Sequence, residues 1–290
     1  PVTEHCDHNK LTIEQRLRLF QQVCQAVQHA HQKGIIHRDI KPSNILVTIH
    51  EDQAIPKIID FGVAKAVLQP LTDRTLYTEQ GQLVGTPEYM SPEQARADKQ
   101  DVDTRTDVYS LGVLLYELLS GALPFDRETF REGGIDHIRE VICDQDPATP
   151  STRLSRTSLV ESAESARLRR TDARTLQHKL HGDLDWITLK ALEKDPARRY
   201  STVEAFAEDV RLHLNHQPVS AAPPGLLYQC QKSVRRHRWQ IVATAMVMVV
   251  CLAAGIVKDM ADRGSKERAH AEALDQRQLL DQAQELFSTR

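Results

Sequence analysis

A short segment of the chain places an acid, a base and an amide within six residues. Residues 37–44 read HRDIKPSN and lie between two short apolar runs. Phosphoryl transfer needs a carboxylate to orient the attacking hydroxyl, a cation for the moving phosphoryl group and oxygen ligands for Mg²⁺. Asp39, Lys41 and Asn44 match these three requirements in order.

A further carboxylate, Asp60, follows Asn44 by sixteen residues and opens the triplet Asp60-Phe61-Gly62. It stands at the end of an apolar run that predicts a strand. Mg²⁺ favours sparse oxygen ligation because it keeps several waters and takes other ligands from phosphates. We therefore predict that Asn44 and Asp60 hold Mg²⁺.

These segments, together with a third, resemble the motifs of the eukaryotic-like (Hanks-type) serine/threonine protein kinases. The HRDxKxxN loop, the DFG triplet and residues 85–93 (GTPEYMSPE) occur in the order and spacing of that family, with Ser91 in place of its alanine. The resemblance covers residues 1–216. It implies an α+β, protein-kinase-like fold with a mainly helical C-terminal lobe, the cofactors ATP and Mg²⁺, and transfer of the ATP γ-phosphate to protein serine or threonine hydroxyls.

The resemblance also implies roles at the positions that match the motifs. Asp39 would orient the hydroxyl and Lys41 would clamp the phosphate. Thr86 would form a hydrogen bond near Asp39, and Lys41 with the Gly85-Thr86 pair indicates the serine/threonine branch. The implied catalytic residues are Asp39, Lys41, Arg38 and Thr86, the nucleotide-binding residues are Lys41, Asn44, Leu46 and Asp60, and the metal ligands are Asn44 and Asp60.

Two structural braces and one regulatory contact follow from the same resemblance. Glu93 should pair with Arg199, and Asp107 should hold the backbone of the catalytic loop. Arg38, beside Asp39, suggests control by phosphorylation, since a phosphate adds about −2 charge and an arginine can clamp it bidentately. The candidates are Thr72, Thr75 and Thr78, for which the alternative is an ordinary solvated loop.

Apolar spacing predicts the elements that position these residues. Thr12 and Gln15 form a capping box, and apolar residues then recur every three or four positions until Gly34 ends the helix. Residues 34–36, 45–47 and 57–59 are predicted to be short strands. Residues 107–119 are apolar on all sides, which is typical of a helix in the middle of a domain.

The second half of the domain is less clearly patterned. Residues 126–181 are charged and polar, and we predict that most of them form a surface insertion. Its arginines at 167, 169, 170 and 174 are predicted to form a solvated face, with binding to an acidic partner or a lipid surface as the alternative. Order resumes in a helix capped by Asp183, with Trp186 in the core, and in a last helix starting at Ser201. The globular part is predicted to end near residue 216.

The glycine-rich loop and strand lysine with which family members hold ATP are not found ahead of the catalytic loop. The first glycine is Gly34, and Lys10 and Lys33 do not follow a VAIK-like strand. Two explanations remain open: the chain is a truncated kinase, or it is a membrane-anchored pseudokinase that acts as a scaffold without an ATP-binding lobe. We favour truncation, because the predicted phosphoryl-transfer residues are all present, and we expect the chain alone to bind ATP poorly.

An apolar stretch near the C-terminus predicts a membrane span. Residues 241–257 carry no charge, and a helix of this length spans roughly 26 Å against a hydrocarbon core of about 30 Å. Trp239, Arg238 and Lys258 can make up the difference. We predict a single transmembrane helix, with a buried helix as the alternative.

The layout resembles that of a bacterial receptor-type kinase. We predict a kinase domain at residues 1–216, a juxtamembrane linker at 217–240, a transmembrane helix at 241–257 and a helical extracytoplasmic stub at 258–290. The basic residues ahead of the span place the kinase domain in the cytoplasm of a single-pass cell-membrane protein. The expected partners are protein substrates, and a homodimer is an open expectation.

The bulk composition describes a globular protein. Hydrophobic residues make up 40% of the chain and charged residues 27%, which argues against a disordered chain. The net charge of −3 gives no reason to expect a nucleic-acid partner. The five cysteines contain no CxxC pair, so free thiols in a reducing compartment fit better than a disulfide framework.

Overall fold

The computed structural model describes residues 1–61, 86–96, 103–131, 134–223, 225 and 246–248. The chain divides into two compact units, residues 1–229 and 230–290. In the second unit only residues 246–248 are described, and these are helical with exposed side chains. The rest of the predicted span at 241–257, the stub at 258–290 and the candidate phosphorylation sites Thr72, Thr75 and Thr78 lie outside the described residues. Within the described parts, no helix has both the length and the apolar character needed to cross a membrane.

The first unit is mainly helical, as the sequence predicted. Its α-helices, in chain order, are α1 Val2–His8, α2 Ile13–Gln32, α3 Pro92–Ala95, α4 Arg105–Ser120, α5 Arg127–Arg131, α6 Ile135–Asp144, α7 Pro150–Arg156, α8 Leu159–Arg167, α9 Ala173–Leu180, α10 Asp183–Ala191 and α11 Val203–Leu214. Short 3₁₀ turns occupy Pro42–Asn44, Pro87–Tyr89 and Pro196–Arg198.

Helix α2 begins and ends as its sequence indicates. The Thr12 side chain accepts a hydrogen bond from the Gln15 backbone N–H, and the Gln15 side chain accepts one from the Thr12 N–H, so the capping box is confirmed. Gly34, just past the end of the helix, has a φ of +74°. This is the left-handed conformation that glycine adopts at little cost.

Among the residues that the structure describes, the strands form one antiparallel hairpin, β1 (Ile45–His50) and β2 (Gln53–Ile58), joined by Glu51 and Asp52. Both turn residues have positive φ, which gives a turn whose twist matches that of the flanking strands. Two of the three predicted strands are therefore present and are longer than predicted. The prediction of a strand at residues 34–36 was wrong: this segment is irregular, and Ile35 is 44% exposed.

Helix α4 lies in the middle of the first unit. Nearly every side chain between Thr106 and Ser120 is buried, which confirms the prediction from its all-round apolar sequence. It packs against α10, while α2 packs against α11. At the latter contact the rings of Phe20 and Phe206 meet edge to face, with centroids 5.3 Å apart.

The prediction of a surface insertion at residues 126–181 was wrong. This segment forms helices α5 to α9, and Leu154, Ala166, Leu176 and Leu180 belong to the main core. Each of these short helices buries only a few side chains, so the apolar spacing is hard to recognise. Their starts do carry a sequence signal, because side chains of Thr149, Ser158 and Asp172 cap α7, α8 and α9.

Two details differ at the end of the first unit. The residue before α10 is Gly182, and Asp183 is the first residue of the helix, while α11 is capped by Thr202. The packed structure also continues beyond residue 216. Val219 is 5% exposed in the core, and the Ser220 N–H and hydroxyl donate to the buried carboxylate of Asp209.

Candidate active site

The catalytic loop joins α2 to β1 and brings Asp39, Lys41 and Asn44 together. Lys41 Nζ lies 3.1 Å from Asp39 Oδ2. Asn44 Nδ2 donates to the Asp39 backbone oxygen at 2.8 Å and to Asp39 Oδ2 at 3.2 Å. The three side chains that the sequence singled out therefore form one cluster. The Asp39 carboxylate is oriented by a neighbouring cation and an amide.

Asp60 is placed beside this cluster by a backbone contact. The N–H of Ile59, at the end of β2, donates to the Asn44 carbonyl at 2.9 Å. Asp60 follows directly and has a φ of +55°, a left-handed conformation that is uncommon for residues other than glycine. Asn44 and Asp60, the two predicted metal ligands, are therefore held in neighbouring backbone positions.

The donor set fits Mg²⁺. Because the nitrogen of the Asn44 amide is used by Asp39, the Asn44 oxygen, which also accepts the Ser43 hydroxyl at 3.4 Å, is the end of the amide that can face a cation. Together with the carboxylate of Asp60 it offers oxygen ligands only, which is what Mg²⁺ prefers.

His37 supports both ends of the site. Its Nδ1 accepts the Asp39 N–H at 3.3 Å, and its Nε2 bonds to the Ile59 carbonyl at 3.0 Å. These two bonds together require the neutral ring with its proton on Nε2. The ring is fully buried and lies 4.7 Å from that of Phe61. One side chain therefore ties the residue before Asp60 to the backbone of Asp39.

Asp107 holds the backbone of the loop, as the resemblance implied. Its two carboxylate oxygens accept the N–H groups of His37 and Arg38, each at 2.8 Å. His31 on α2 adds a third contact, with Nε2 2.7 Å from Asp107 Oδ2. His31 was not among the residues that the sequence analysis assigned to the site. In the sequence, the indication of this contact is that His31 lies six residues before His37, at the end of the helix that leads into the catalytic loop.

The predicted pair of Glu93 and Arg199 is confirmed, and both residues are buried. Arg199 donates through two nitrogens to the two oxygens of Glu93, at 2.7 and 2.8 Å. Thr106 donates a further bond to Glu93 at 2.7 Å. Burial alone would raise the pKa of Glu93, but the hydrogen bonds and charge of Arg199, with the bond from Thr106, lower it below its usual value.

The remaining predicted residues occupy the rim of this region. Thr86 starts the 3₁₀ turn Pro87–Tyr89 and is half-buried, and its hydrogen bond near Asp39 stays a prediction. Leu46 lies on β1 and is 38% exposed, so an apolar side chain is accessible where a nucleotide contact was predicted. Arg38 keeps a buried Nε without a hydrogen-bond partner among the described residues. Its predicted role as a phosphate clamp also stays a prediction.

Comparison with known proteins decides the family. Residues 2–210 match the family model described as "Protein kinase domain". The chain belongs to the protein kinase family. The resemblance stated from the three motifs is confirmed, and so is the expectation of a mainly helical, kinase-like fold.

Several relatives resemble this kinase chain over the same region. The serine/threonine-protein kinase PknB of Mycobacterium leprae is 38% identical over 206 residues, which are 71% of this chain and 27% of that protein. The serine/threonine-protein kinase pkn3 of Myxococcus xanthus is 35% identical over 196 residues, covering 67% of this chain and 30% of that protein. The crystal structure of the Mycobacterium tuberculosis PknI kinase domain, a double mutant, has a TM-score of 0.43 and 22% identity, covering 70% of this chain and 57% of that one. The chain spans less than a third of the length of the first two relatives.

Proposed function

We propose that this chain is the catalytic lobe of an ATP-dependent protein kinase that transfers the γ-phosphate to serine or threonine hydroxyls. The observation that carries the proposal is the cluster of Asp39, Lys41 and Asn44, held on a loop whose backbone is fixed by Asp107. Relatives described as serine/threonine kinases support the choice of substrate hydroxyl. Lys41, two residues after Asp39, supports the same branch.

The chain's own residues divide the work of the transfer. Asp39 accepts a hydrogen bond from the substrate hydroxyl and so orients the attacking oxygen. The same carboxylate receives the proton of the hydroxyl. Lys41, beside Asp39, holds the phosphate oxygens by charge. Asn44 and Asp60 would hold the metal through oxygen atoms. When bound, ATP with Mg²⁺ supplies the phosphoryl group and part of the positive charge that stabilises it.

The test is a radiolabelled ATP phosphotransfer assay on the complete product of the reading frame that contains this chain. We expect label on serine or threonine, in the protein itself or in an added protein substrate. Asp39→Asn should lower the transfer by about 100-fold or more, because a positioned base contributes roughly 10² to 10⁴ in rate. Absence of label from the unsubstituted protein, or equal label in Asp39→Asn, would contradict the proposal.

The scaffold alternative is not favoured. A pseudokinase has no need of oriented phosphoryl-transfer groups, yet here both Asn44 and Lys41 contact the carboxylate of Asp39. ATP-dependent label that disappears in Asp39→Asn would exclude the scaffold as the main role.

We also propose that the protein is anchored to the cell membrane by residues 241–257, with the kinase domain in the cytoplasm. The support is the uncharged sequence of this stretch and the exposure of Met246, Val247 and Met248, which ranges from 62% to 72%. Three consecutive exposed apolar side chains are unfavourable in water and favourable in lipid. Recovery of the full chain in the soluble fraction of cells, without detergent, would contradict this proposal. A homodimer stays a prediction.

A further inference from the structure

The backbone of Arg38 is strained at the residue that precedes Asp39. Its φ is +65°, in the left-handed region that non-glycine residues seldom adopt. Such a conformation persists only where the surrounding structure determines it more than once, and it is found preferentially at functional sites. The direction in which Asp39 leaves the backbone therefore depends on what holds Arg38.

Two side chains hold Arg38 from opposite ends of the residue. Asp107 Oδ1 accepts the Arg38 N–H at 2.8 Å. Gln94 Nε2 donates to the Arg38 carbonyl at 2.8 Å. This carbonyl belongs to the peptide bond that joins Arg38 to Asp39, so Gln94 acts on the peptide unit next to the base.

The orientation of the Gln94 amide is set by a second task. Gln94 Oε1 accepts the Ser91 N–H at 3.1 Å and lies 3.2 Å from the Ser91 hydroxyl, and Ser91 Oγ accepts the Gln94 N–H at 3.4 Å. This is the capping box of α3. Because the amide oxygen is used by the cap, the amide nitrogen is the end that faces Arg38.

Both supports belong to one rigid assembly. Gln94 follows Glu93, which Arg199 holds through two hydrogen bonds. Arg199 also donates to the Arg105 carbonyl at 3.0 Å, in the first turn of the helix that carries Asp107. Arg199 therefore ties together the two elements that hold Arg38.

We propose that Gln94 is a positioning residue for the phosphoryl transfer. Its side-chain nitrogen holds the Arg38–Asp39 peptide in the left-handed geometry that aims the Asp39 carboxylate. This inference rests on the proposed kinase activity. A glutamate at position 94 caps α3 as well as glutamine does, but it has no N–H to donate to Arg38.

The test is Gln94→Glu in the complete kinase, with Gln15→Glu as a matched control. Gln15 serves the same kind of capping box at the start of α2, away from the catalytic loop. We expect kcat to fall by about 10- to 100-fold in Gln94→Glu, as for a misplaced catalytic group. KM and the melting temperature should stay close to the wild-type values, and Gln15→Glu should change neither kcat nor KM. An unchanged kcat in Gln94→Glu would overturn the proposal.

A second variant separates the lost donor from the added charge. Gln94→Met removes the donor without introducing a carboxylate, and kcat should fall in this variant as well. A loss confined to Gln94→Glu would assign the effect to charge and would overturn the positioning role.

A readout that does not need activity separates this inference from the proposed function. Amide hydrogen exchange of residues 36–42, measured on the chain itself, should be faster in Gln94→Glu than in Gln15→Glu or the wild type. If the complete protein transfers no phosphate, the proposed function fails, and this exchange measurement still decides whether Gln94 holds the loop. Equal exchange in all three proteins would show that it does not.

Discussion

The two ends of helix α4 are both held by buried arginines, but the partners differ. At the N-terminal end, Arg199 binds the carboxylate of Glu93. At the C-terminal end, Arg169 is 2% exposed and donates to backbone carbonyls of Glu117, Leu118 and Ser165. The first arginine neutralises a charge, whereas the second supplies donors to the unpaired carbonyls at the end of a helix.

The N-terminal end of α4 supports the catalytic loop, whereas its C-terminal end supports the packing of the helices around it. The N-terminal end also carries Asp107, which holds the catalytic loop. The C-terminal end joins α4 to the layer of α7 to α9, with Arg16 adding a further bond to the Leu168 carbonyl. Burial lowers the pKa of Arg169 to about 9, and the nearby charge of Arg16 acts in the same direction. The carbonyl partners of Arg169 therefore offset the cost of burying its charge less completely than the Glu93 carboxylate does for Arg199.

The largest expected effect is at the N-terminal end. Arg199→Met should lower the free energy of unfolding by about 3–5 kcal/mol, because it leaves the Glu93 carboxylate buried without a counter-charge. Urea unfolding of the chain measures the change. The double variant Arg199→Met with Glu93→Gln should recover part of the loss. A double variant whose loss equals the sum of the two single losses would show that the pair is not coupled.

At the C-terminal end the corresponding change should cost less. Arg169→Met removes the donors of several carbonyls but leaves no charge unpaired. We expect a loss of about 1–3 kcal/mol in the same urea experiment, the usual range for buried polar groups without partners. A loss as large as that of Arg199→Met would mean that the two ends do not differ in the way their partners suggest.

A smaller effect is expected at Gly121, the residue after α4. It has a φ of +82°, and an added Cβ would lie 2.7 Å from Ser165 Oγ. Gly121→Ala should therefore cost about 2 kcal/mol, from the left-handed backbone and the contact together. Gly34→Ala is the matched control, since Gly34 has a φ of +74° but open space around it. We expect Gly34→Ala to lower the free energy of unfolding by about half as much. Equal losses in the two variants would show that the contact with Ser165 does not contribute.

The smallest effects concern pH and compare two glutamates at the ends of α4, the buried Glu93 and the half-buried Glu117. The pKa of Glu93 is lowered, so its contribution to stability is present above the ordinary value of 4.5 and is lost as the pH falls through the folded-state pKa. Burial raises the pKa of Glu117, whose neighbour is the Tyr89 hydroxyl. Its contribution is present below 4.5 and is lost as the pH rises through its folded-state pKa.

Urea unfolding between pH 3 and 8 distinguishes the two glutamates, because their pKa values are shifted in opposite directions. Glu93→Gln should weaken the loss of stability on the acid side. Glu117→Gln should instead weaken the loss of stability as the pH rises. Changes of the same sign in both variants would contradict the opposite shifts.

Much of the site could be predicted because its residues are recognisable by type and spacing. Asp39, Lys41 and Asn44 are close in sequence, so their grouping follows from one short loop. The braces at Glu93, Asp107 and Arg199 are distant in sequence, and only the family resemblance predicted them. Gln94 was missed because its sequence signal is a capping box, and nothing in that pattern shows that the other end of the amide reaches Arg38.

By itself, the sequence determined the chemistry of the catalytic loop, the capped start of α2 and the burial of α4. These features depend on neighbouring residues or on the period of a helix, which can be recognised in the chain. Only the tertiary structure decided that residues 126–181 are helices packed on the core and that Arg169 is buried. The partners of Arg169 are backbone carbonyls, which every residue carries. For that reason no side-chain type in the sequence indicates which backbone carbonyls a buried arginine will contact.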